Sequence, residues 1–425
     1  MDRRLFFRII AVVFVVVETF SMVHGYLFNR LSLPTVLLFC VSLYLYPKAF
    51  LNKESAYLML YFSVICLFAL LGHTLVDRTY ILANIFEPLS CLAMLNVFLY
   101  NGDIRGLKIV TVTGLIIIAI TSVATIPITI AFPNAVRSSV TFMQNDDYDS
   151  IRGLQKLGIA SFGLVHSLPF IVPLIVYQIA SGTKRAIRFC YVVFIAITFA
   201  MIFLSNVTTS LILATVALLA SLSWLIKNKR AFFPLIFSAL CLLLLLKNEA
   251  ALAGLHLVQP FFEDTPTHDK IDEIIVSVSS QSAVGDVAAR SELYEISWQT
   301  FFDNPLLGNM DSGNLGGHAY FVDRLAAFGL VGNVFFFMFL YTTFRKIYLL
   351  LDHQVRPFFL LGVLLFLALA FSKNIIGVEN YLYLFVFLPG LGFLPRQDLT
   401  GPRRQERHYR QRGPVRPSAE PHKEA

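Results

Sequence analysis

The sequence predicts an all-α integral membrane protein of about 12 transmembrane helices, with one large extracytoplasmic loop containing short helices. Three observations predict it. The 425 residues are 56% hydrophobic and 14% charged, with 40 Phe, against roughly 45–50% apolar residues in soluble domains. Apolar runs recur, each close to the roughly 20 residues that a helix needs to cross the hydrocarbon core. Basic residues, finally, concentrate in alternate connectors between those runs. Helices rather than open strands follow, because lipid offers no partner for backbone N–H and C=O groups.

Taken in order, the runs place spans near 5–23, 31–46, 56–75, 81–100, 107–131, 157–180, 189–204, 208–226, 231–246, 324–344, 357–372 and 375–395. With the N-terminus in the cytoplasm, inside segments carry Arg3, Arg4, Arg8, Lys48, Lys53, Arg105, Lys108, Lys184, Arg185, Arg188, Lys227, Lys229, Arg230, Arg345, Lys346 and Arg356. Outside segments are longer in total yet hold fewer basic residues, and that asymmetry fixes the orientation. Four regions result: nine spans over 1–246, the large outer loop over 247–323, three spans over 324–395, and a basic tail over 396–425. The tail lacks apolar periodicity and is expected to be disordered in the cytoplasm, its arginines within reach of anionic head groups.

The first run follows Arg3 and Arg4 but has no small-residue cleavage site and leads into further spans, so it reads as a retained span rather than a signal peptide. The five cysteines (Cys40, Cys66, Cys91, Cys190 and Cys241) all lie in apolar runs with no CxxC spacing, which points to neither a zinc site nor a disulfide framework. Two outer segments exceed ordinary connectors: 133–156, with the acidic stretch Asn145 to Asp149, and the large loop. Loops of that length are commonly functional or disordered. The large one is too rich in Leu, Ile, Phe and Tyr for disorder throughout.

Within the loop, Ile271, Ile274, Ile275 and Val278 fall at helical spacing, as in a helix lying on the bilayer or on the bundle. Further on, Arg290, Tyr294, Ser297, Trp298 and Phe301 are expected to share one helix face, setting a guanidinium beside an aromatic stripe. Asp303, Asn304 and Pro305 stop that helix. A Gly-rich turn then delivers His318 to the start of the tenth span. There the positive end of the helix dipole favours a neutral imidazole able to accept a proton. The free N–H groups, with Gly316 and Gly317 allowing close approach, suit an anion such as phosphate. Gly329 and Gly332 read as helix-packing residues.

The layout, and the ordered run of Arg290, an aromatic helix with Trp298, Asn304-Pro305-Leu306-Leu307-Gly308, His318 and Phe328-Gly329-Leu330-Val331-Gly332, resemble the O-antigen polymerase and ligase family of bacterial membrane glycosyltransferases. The resemblance implies a GT-C-like bundle in the bacterial plasma membrane, both termini cytoplasmic. It implies transfer of glycan from a polyprenyl-diphosphate-linked oligosaccharide to an acceptor hydroxyl on the outer face. His318 is then the candidate base, and Arg290 the first candidate to stabilise the diphosphate leaving group. The family's second arginine has no match at Ser205 to Ser210; Arg152 and Arg324 are the available substitutes, and Arg152 is preferred because it begins an outer-loop-to-span transition. Arg324 is expected to pair with Asp323 or anchor at head groups. Together with Glu379 and Tyr294 it is a candidate for lining an outer cavity.

Glu18, Glu87, His73, His166 and Glu379 are ionisable residues inside apolar runs, hence functional suspects by position. Glu263, Asp264, Asp269, Asp272 and Glu273 match no compact cation loop, so no metal and no cofactor is expected. The absence of a Walker loop, a strand-borne GxGxxG or a GxSxG argues against ATP-driven transport and serine hydrolysis. The reading is a polysaccharide polymerase acting on O-antigen, capsule or exopolysaccharide units. Its alternatives are an O-antigen ligase and, from another class, a lipid-linked oligosaccharide flippase. Partners are membrane lipids, a flippase and a chain-length regulator, with no nucleic acid.

Overall fold

The computed structural model of the protein describes residues 2–19, 32–74, 76, 78–132, 135–137, 154–155, 159–181, 184–225, 256–257, 259–263, 268–269, 271–272, 275–276, 285–309, 315–374 and 377–394. The expected span at 231–246, Arg152, the acidic stretch at 145–149 and the basic tail lie outside the described residues. What is described is helical, in the order α1 (Arg3–Thr19), α2 (Ser32–Leu45), α3 (Lys53–Leu70), α4 (Arg78–Tyr100), α5 (Ile104–Ala131), α6 (Phe162–Ala180), α7 (Arg185–Leu204), α8 (Thr208–Leu225), α9 (Gly285–Asp303), α10 (Tyr320–Leu350) and α11 (Arg356–Ser372). A final rod follows, from α12 (Val378–Leu382) through a π-helical stretch (Tyr383–Phe387) into α13 (Leu388–Phe393).

Six described helices, α3, α5, α6, α7, α8 and α10, are long and apolar enough to cross a membrane, which marks a multi-pass membrane protein. That is fewer than the expected twelve. Shorter apolar helices are described at Leu33–Leu45, Ile85–Tyr100 and Arg356–Ser372, and the count covers the described residues alone. The exposed faces carry the same message as the lengths. On α5 the outward stripe is Ile109, Val112, Ile116, Ile120 and Val123, and on α8 it is Ile212, Val216, Leu219 and Leu222. A soluble helix puts polar side chains on its outer face, so apolar stripes of this extent belong against lipid.

Two elements have almost no outward face. On α6, residues 164–176 are buried throughout, and the final rod is buried from Tyr381 to Phe393. Small residues let the rod approach its neighbours. A side chain on Gly390 would strike Thr111 of α5, and one on Gly114 of α5 would strike the Phe387 ring. The rod and α6 therefore form the axis around which the other helices stand.

The bundle has two chemically distinct ends. At one, Arg8 of α1 makes a two-pronged contact with Asp103, both N···O distances 2.6 Å. Asp103 also caps α5 by accepting from the Gly106 N–H. At this end too, Lys346 of α10 lies 3.5 Å from Glu54 of α3 and donates to Asn96 of α4. The other end gathers the starts of α6, α8, α10 and the rod with the end of α11, through bonds such as Ser210 to His166 and Tyr320 N–H to the Lys373 carbonyl.

One long helix is broken. Inside α10, Gly329 has φ 57° and ψ −165°, a conformation that essentially only glycine adopts. The segment 304–309, arriving from α9, packs into the break. Leu330 N–H donates to the Pro305 carbonyl at 2.9 Å, Val331 N–H to Leu306 at 3.0 Å, and Asn309 N–H to Ala326 at 2.8 Å. Contact is backbone to backbone. A Cβ on Gly329 would lie 2.4 Å from the Leu306 carbonyl, and one on Gly308 (φ +71°) 2.5 Å from that of Ala327. The expected packing role fits Gly332, whose Cβ would press on Phe68 and Phe328. For Gly329 it falls short: a left-handed backbone and a helix break add to close packing. Replacing Gly329 with Ala should therefore lower thermal stability in detergent by roughly 2 kcal/mol or more. Gly317 shares a positive φ but has open space around it, so Gly317→Ala should cost only the backbone term of roughly 1–2 kcal/mol.

Candidate functional site

Helix α9 descends beside α10 in the same sense. Near its middle, Tyr294 donates from its hydroxyl to the Ser372 carbonyl at 2.7 Å. One turn later the Ser297 hydroxyl donates to Asp323 Oδ1 at 2.7 Å. Below these, the 304–309 segment reaches the break in α10. Arg290 lies in α9 one turn ahead of Tyr294, with its side chain outside the described residues. Of the expected common face, Ser297 is buried against α10, whereas Trp298 turns outward and stacks on Phe302 at 5.7 Å. Trp298 sits at the edge of the stripe, because a step of one residue rotates the side chain by about 100°.

The chain returns upward to the His318 turn, which is held on three sides. Gly316 N–H donates to Ser297 Oγ at 2.9 Å, and residue 316 must be glycine because a Cβ would lie 1.9 Å from the Leu293 carbonyl. Ala319 N–H donates to Asp323 Oδ2 at 2.9 Å. From beyond α11, the Asn374 amide donates to the Gly317 carbonyl at 3.3 Å. His318 itself forms a T-shaped pair with the Tyr294 ring, with centroids 5.6 Å apart. Tyr294 thus brings the α9 face against the histidine turn.

The expected anion seat at the start of α10 differs. The protein's own Asp323 carboxylate accepts from Ala319, and Ser297 accepts from Gly316. A carboxylate in the first turn answers the same dipole that would attract phosphate.

Arg324 is not at the head groups. It is 4% exposed, with Nη2 donating to the Tyr61 hydroxyl at 2.6 Å, Nη1 to Tyr320 at 3.2 Å and Nε to Asn333 at 3.2 Å. The Phe336 ring centroid lies 4.3 Å from its Cζ. Tyr320 carries the chain on to Tyr381 of the rod at 3.1 Å. Asp323, one residue away, turns instead to Ser297 and Ala319.

Glu379 opens the final rod against the start of α6. Its Oε1 accepts from the Ser161 hydroxyl at 3.4 Å, and its Oε2 occupies the space that any side chain at Gly163 would need. Beside it Asn380 bonds both the Gly377 N–H and the Ser167 hydroxyl. At Ser205 to Ser210, where the resemblance asks for an arginine, the chain turns through Asn206 at φ 53° and uses Ser210 to hold His166 Nδ1 at 2.7 Å. Among the described residues no group of three or more His, Cys, Asp or Glu is arranged to hold a metal ion.

Sequence reasoning missed Ser297, Asp323 and Asn374 as the residues that shape the His318 turn, and Lys373, whose carbonyl accepts from Tyr320 N–H just after that turn. Lys373 had a readable signal. It follows an apolar run at the end that the positive-inside reading places outside, against the general bias that puts Lys and Arg inside. The other three had none, because their partners are set by the fold.

No family model, no curated protein and no solved structure matches this chain.

Because Ser297 serves Gly316 and Asp323 together, Ser297→Ala should strand a backbone donor and destabilise the protein by roughly 1–3 kcal/mol. Thermal unfolding in detergent measures the loss. Hydrogen exchange at residues 315–319 should accelerate if the hydroxyl is what holds the turn.

Proposed function

We propose that this protein is a polysaccharide polymerase of the bacterial plasma membrane, joining lipid-linked repeat units of O-antigen, capsule or exopolysaccharide on the outer face. The bundle is read as twelve spans in a GT-C-like arrangement, the end bearing Arg8 and Lys346 in the cytoplasm and the end bearing His318 outside. The observation that carries the reading is the pairing of the two halves of the resembled motif. Asn304-Pro305-Leu306-Leu307-Gly308 is hydrogen-bonded to the broken helix at Phe328-Gly329-Leu330-Val331-Gly332. That pairing holds α9 where Tyr294 meets His318.

The chemistry suits these residue types. An acceptor sugar hydroxyl is a weak nucleophile, so a neutral imidazole within hydrogen-bond reach accelerates its attack on C1 of the donor. His318 takes the hydroxyl proton as the new C1–O bond forms. The C1–O bond to the diphosphate breaks, and the charge that grows on the polyprenyl diphosphate is met by guanidinium. Arg290 is assigned that role, with Arg152 as a second arginine. Tyr294 positions the imidazole by its T-shaped ring contact. Arg324 is left out of the clamp, since its donors serve Tyr61, Tyr320 and Asn333.

The test is purified protein with lipid-diphosphate-linked repeat units, following chain growth. His318→Ala should lose roughly 10²–10⁴-fold in transfer rate while keeping its thermal stability. Arg290→Ala should bind the donor more weakly. Unaltered chain growth in both variants would overturn the site assignment.

A further inference from the structure

Below the break, α10 shows an outward stripe of Leu330, Val334, Met338 and Tyr341 at steps of three and four residues. That is the lipid-facing side of a spanning helix. At the other end of the span stand Arg345 and Lys346. A crossing of roughly 20 residues counted back from them reaches about residue 325. The turn from α9 bonds residues 326, 330 and 331 of α10. At 1.5 Å per residue, it therefore sits up to roughly 10 Å below the outer boundary of the hydrocarbon.

The side chains of this descending segment agree with that depth. Trp298, Phe302, Leu306 and Leu307 are all exposed, Phe302 at 69% and Leu306 at 64%. They are continuous with the stripe on α10, because Leu306 is bonded to Val331 and Pro305 to Leu330. The backbone agrees as well. Non-helical chain is tolerated at membrane depth only where its polar groups find partners in protein. Here Leu330, Val331 and Asn309 N–H groups all pair across the contact, and Pro305 has no N–H to satisfy.

We infer that the C-terminal half of α9 and the turn 304–308 form a wedge inserted into the outer leaflet, with Trp298, Phe302, Leu306 and Leu307 against lipid acyl chains. The inference rests on α10 spanning the bilayer. The wedge fixes α9 in depth, so the His318 turn, one to two helical turns higher, is held at head-group level. A lipid-borne diphosphate would present itself there.

The chain has two tryptophans, Trp224 in α8 and Trp298, so each can report alone. In Trp224→Phe protein reconstituted into liposomes, Trp298 emission should be quenched by phospholipids brominated on their acyl chains and spared by aqueous iodide. Iodide quenching without a bromolipid effect would overturn the wedge, as would protection from both, which means a protein partner covers the patch. Trp298→Phe protein supplies the other arm. Bromolipid quenching of Trp224 with none at Trp298 overturns the wedge while leaving the bundle in the membrane. Quenching at neither position overturns the spanning bundle itself.

Discussion

A helix broken at Gly329 inside an apolar bundle releases backbone groups that lipid cannot satisfy, and each stranded group costs several kcal/mol in that setting. The fold around it is largely the answer to this demand. Leu330 and Val331 N–H groups go to the 305 and 306 carbonyls, and the Ala326 carbonyl receives Asn309 N–H. The Ala327 carbonyl is met at 2.8 Å by His73 Nε2, which must carry the proton there because a carbonyl only accepts. The carbonyls of Arg324 and Gly329 both receive the Asn333 amide. Three separate stretches, the end of α3, the turn after α9 and α10 itself, are thereby bound at one point.

The buried arginine belongs to the same solution. Asn333 works only if its amide nitrogen points at the two carbonyls and its oxygen points away. Arg324 Nε donates to that oxygen at 3.2 Å, so the guanidinium selects the useful orientation of the amide. Its remaining donors go to Tyr61 and Tyr320, and its face lies over Phe336. An aromatic enclosure of this kind attracts a cation electrostatically while excluding water. Arg324 is best understood as a positioning residue for the break.

Much of this architecture was legible in the sequence and some of it was not, for separable reasons. Spans are legible because hydrocarbon thickness fixes a length and lipid fixes a composition, and the long helices α5, α7, α8 and α10 fall close to the apolar runs. Boundaries are less so: α10 begins at Tyr320, ahead of the apolar run, because its first turn is capped by Asp323 and buried under α9. Long-range partners leave no local trace. Arg324 and Tyr61 stand 263 positions apart, so a position near a span end suggested head groups when the side chain in fact points inward. Glu379 is similar, since only the notch at Gly163 explains where its carboxylate goes. The motif around His318 was legible as an order of residue types. That its two halves are hydrogen-bonded to each other was not.

The amides of the His318 turn bear on where a charged donor would rest. Gly316 N–H is engaged by Ser297 and Ala319 N–H by Asp323, and the Gly317 carbonyl is engaged by Asn374. Backbone N–H groups that already have partners cannot cradle a phosphate without breaking those bonds. Asp323 at the mouth of α10 adds a negative charge that opposes a second one nearby. On the proposed function, recognition of a diphosphate beside His318 would fall to side chains, and guanidinium matches its oxygens better than an ammonium through paired N–H donors. Arg290 lies one turn ahead of Tyr294 on α9, the helix that carries Tyr294 to His318. The geometry of the turn thus argues against an anion seated on the Gly316 and Ala319 amides. This departs from the dipole-based seat that the sequence alone implies, and it leaves the roles proposed for His318 and Arg290 to side-chain chemistry alone.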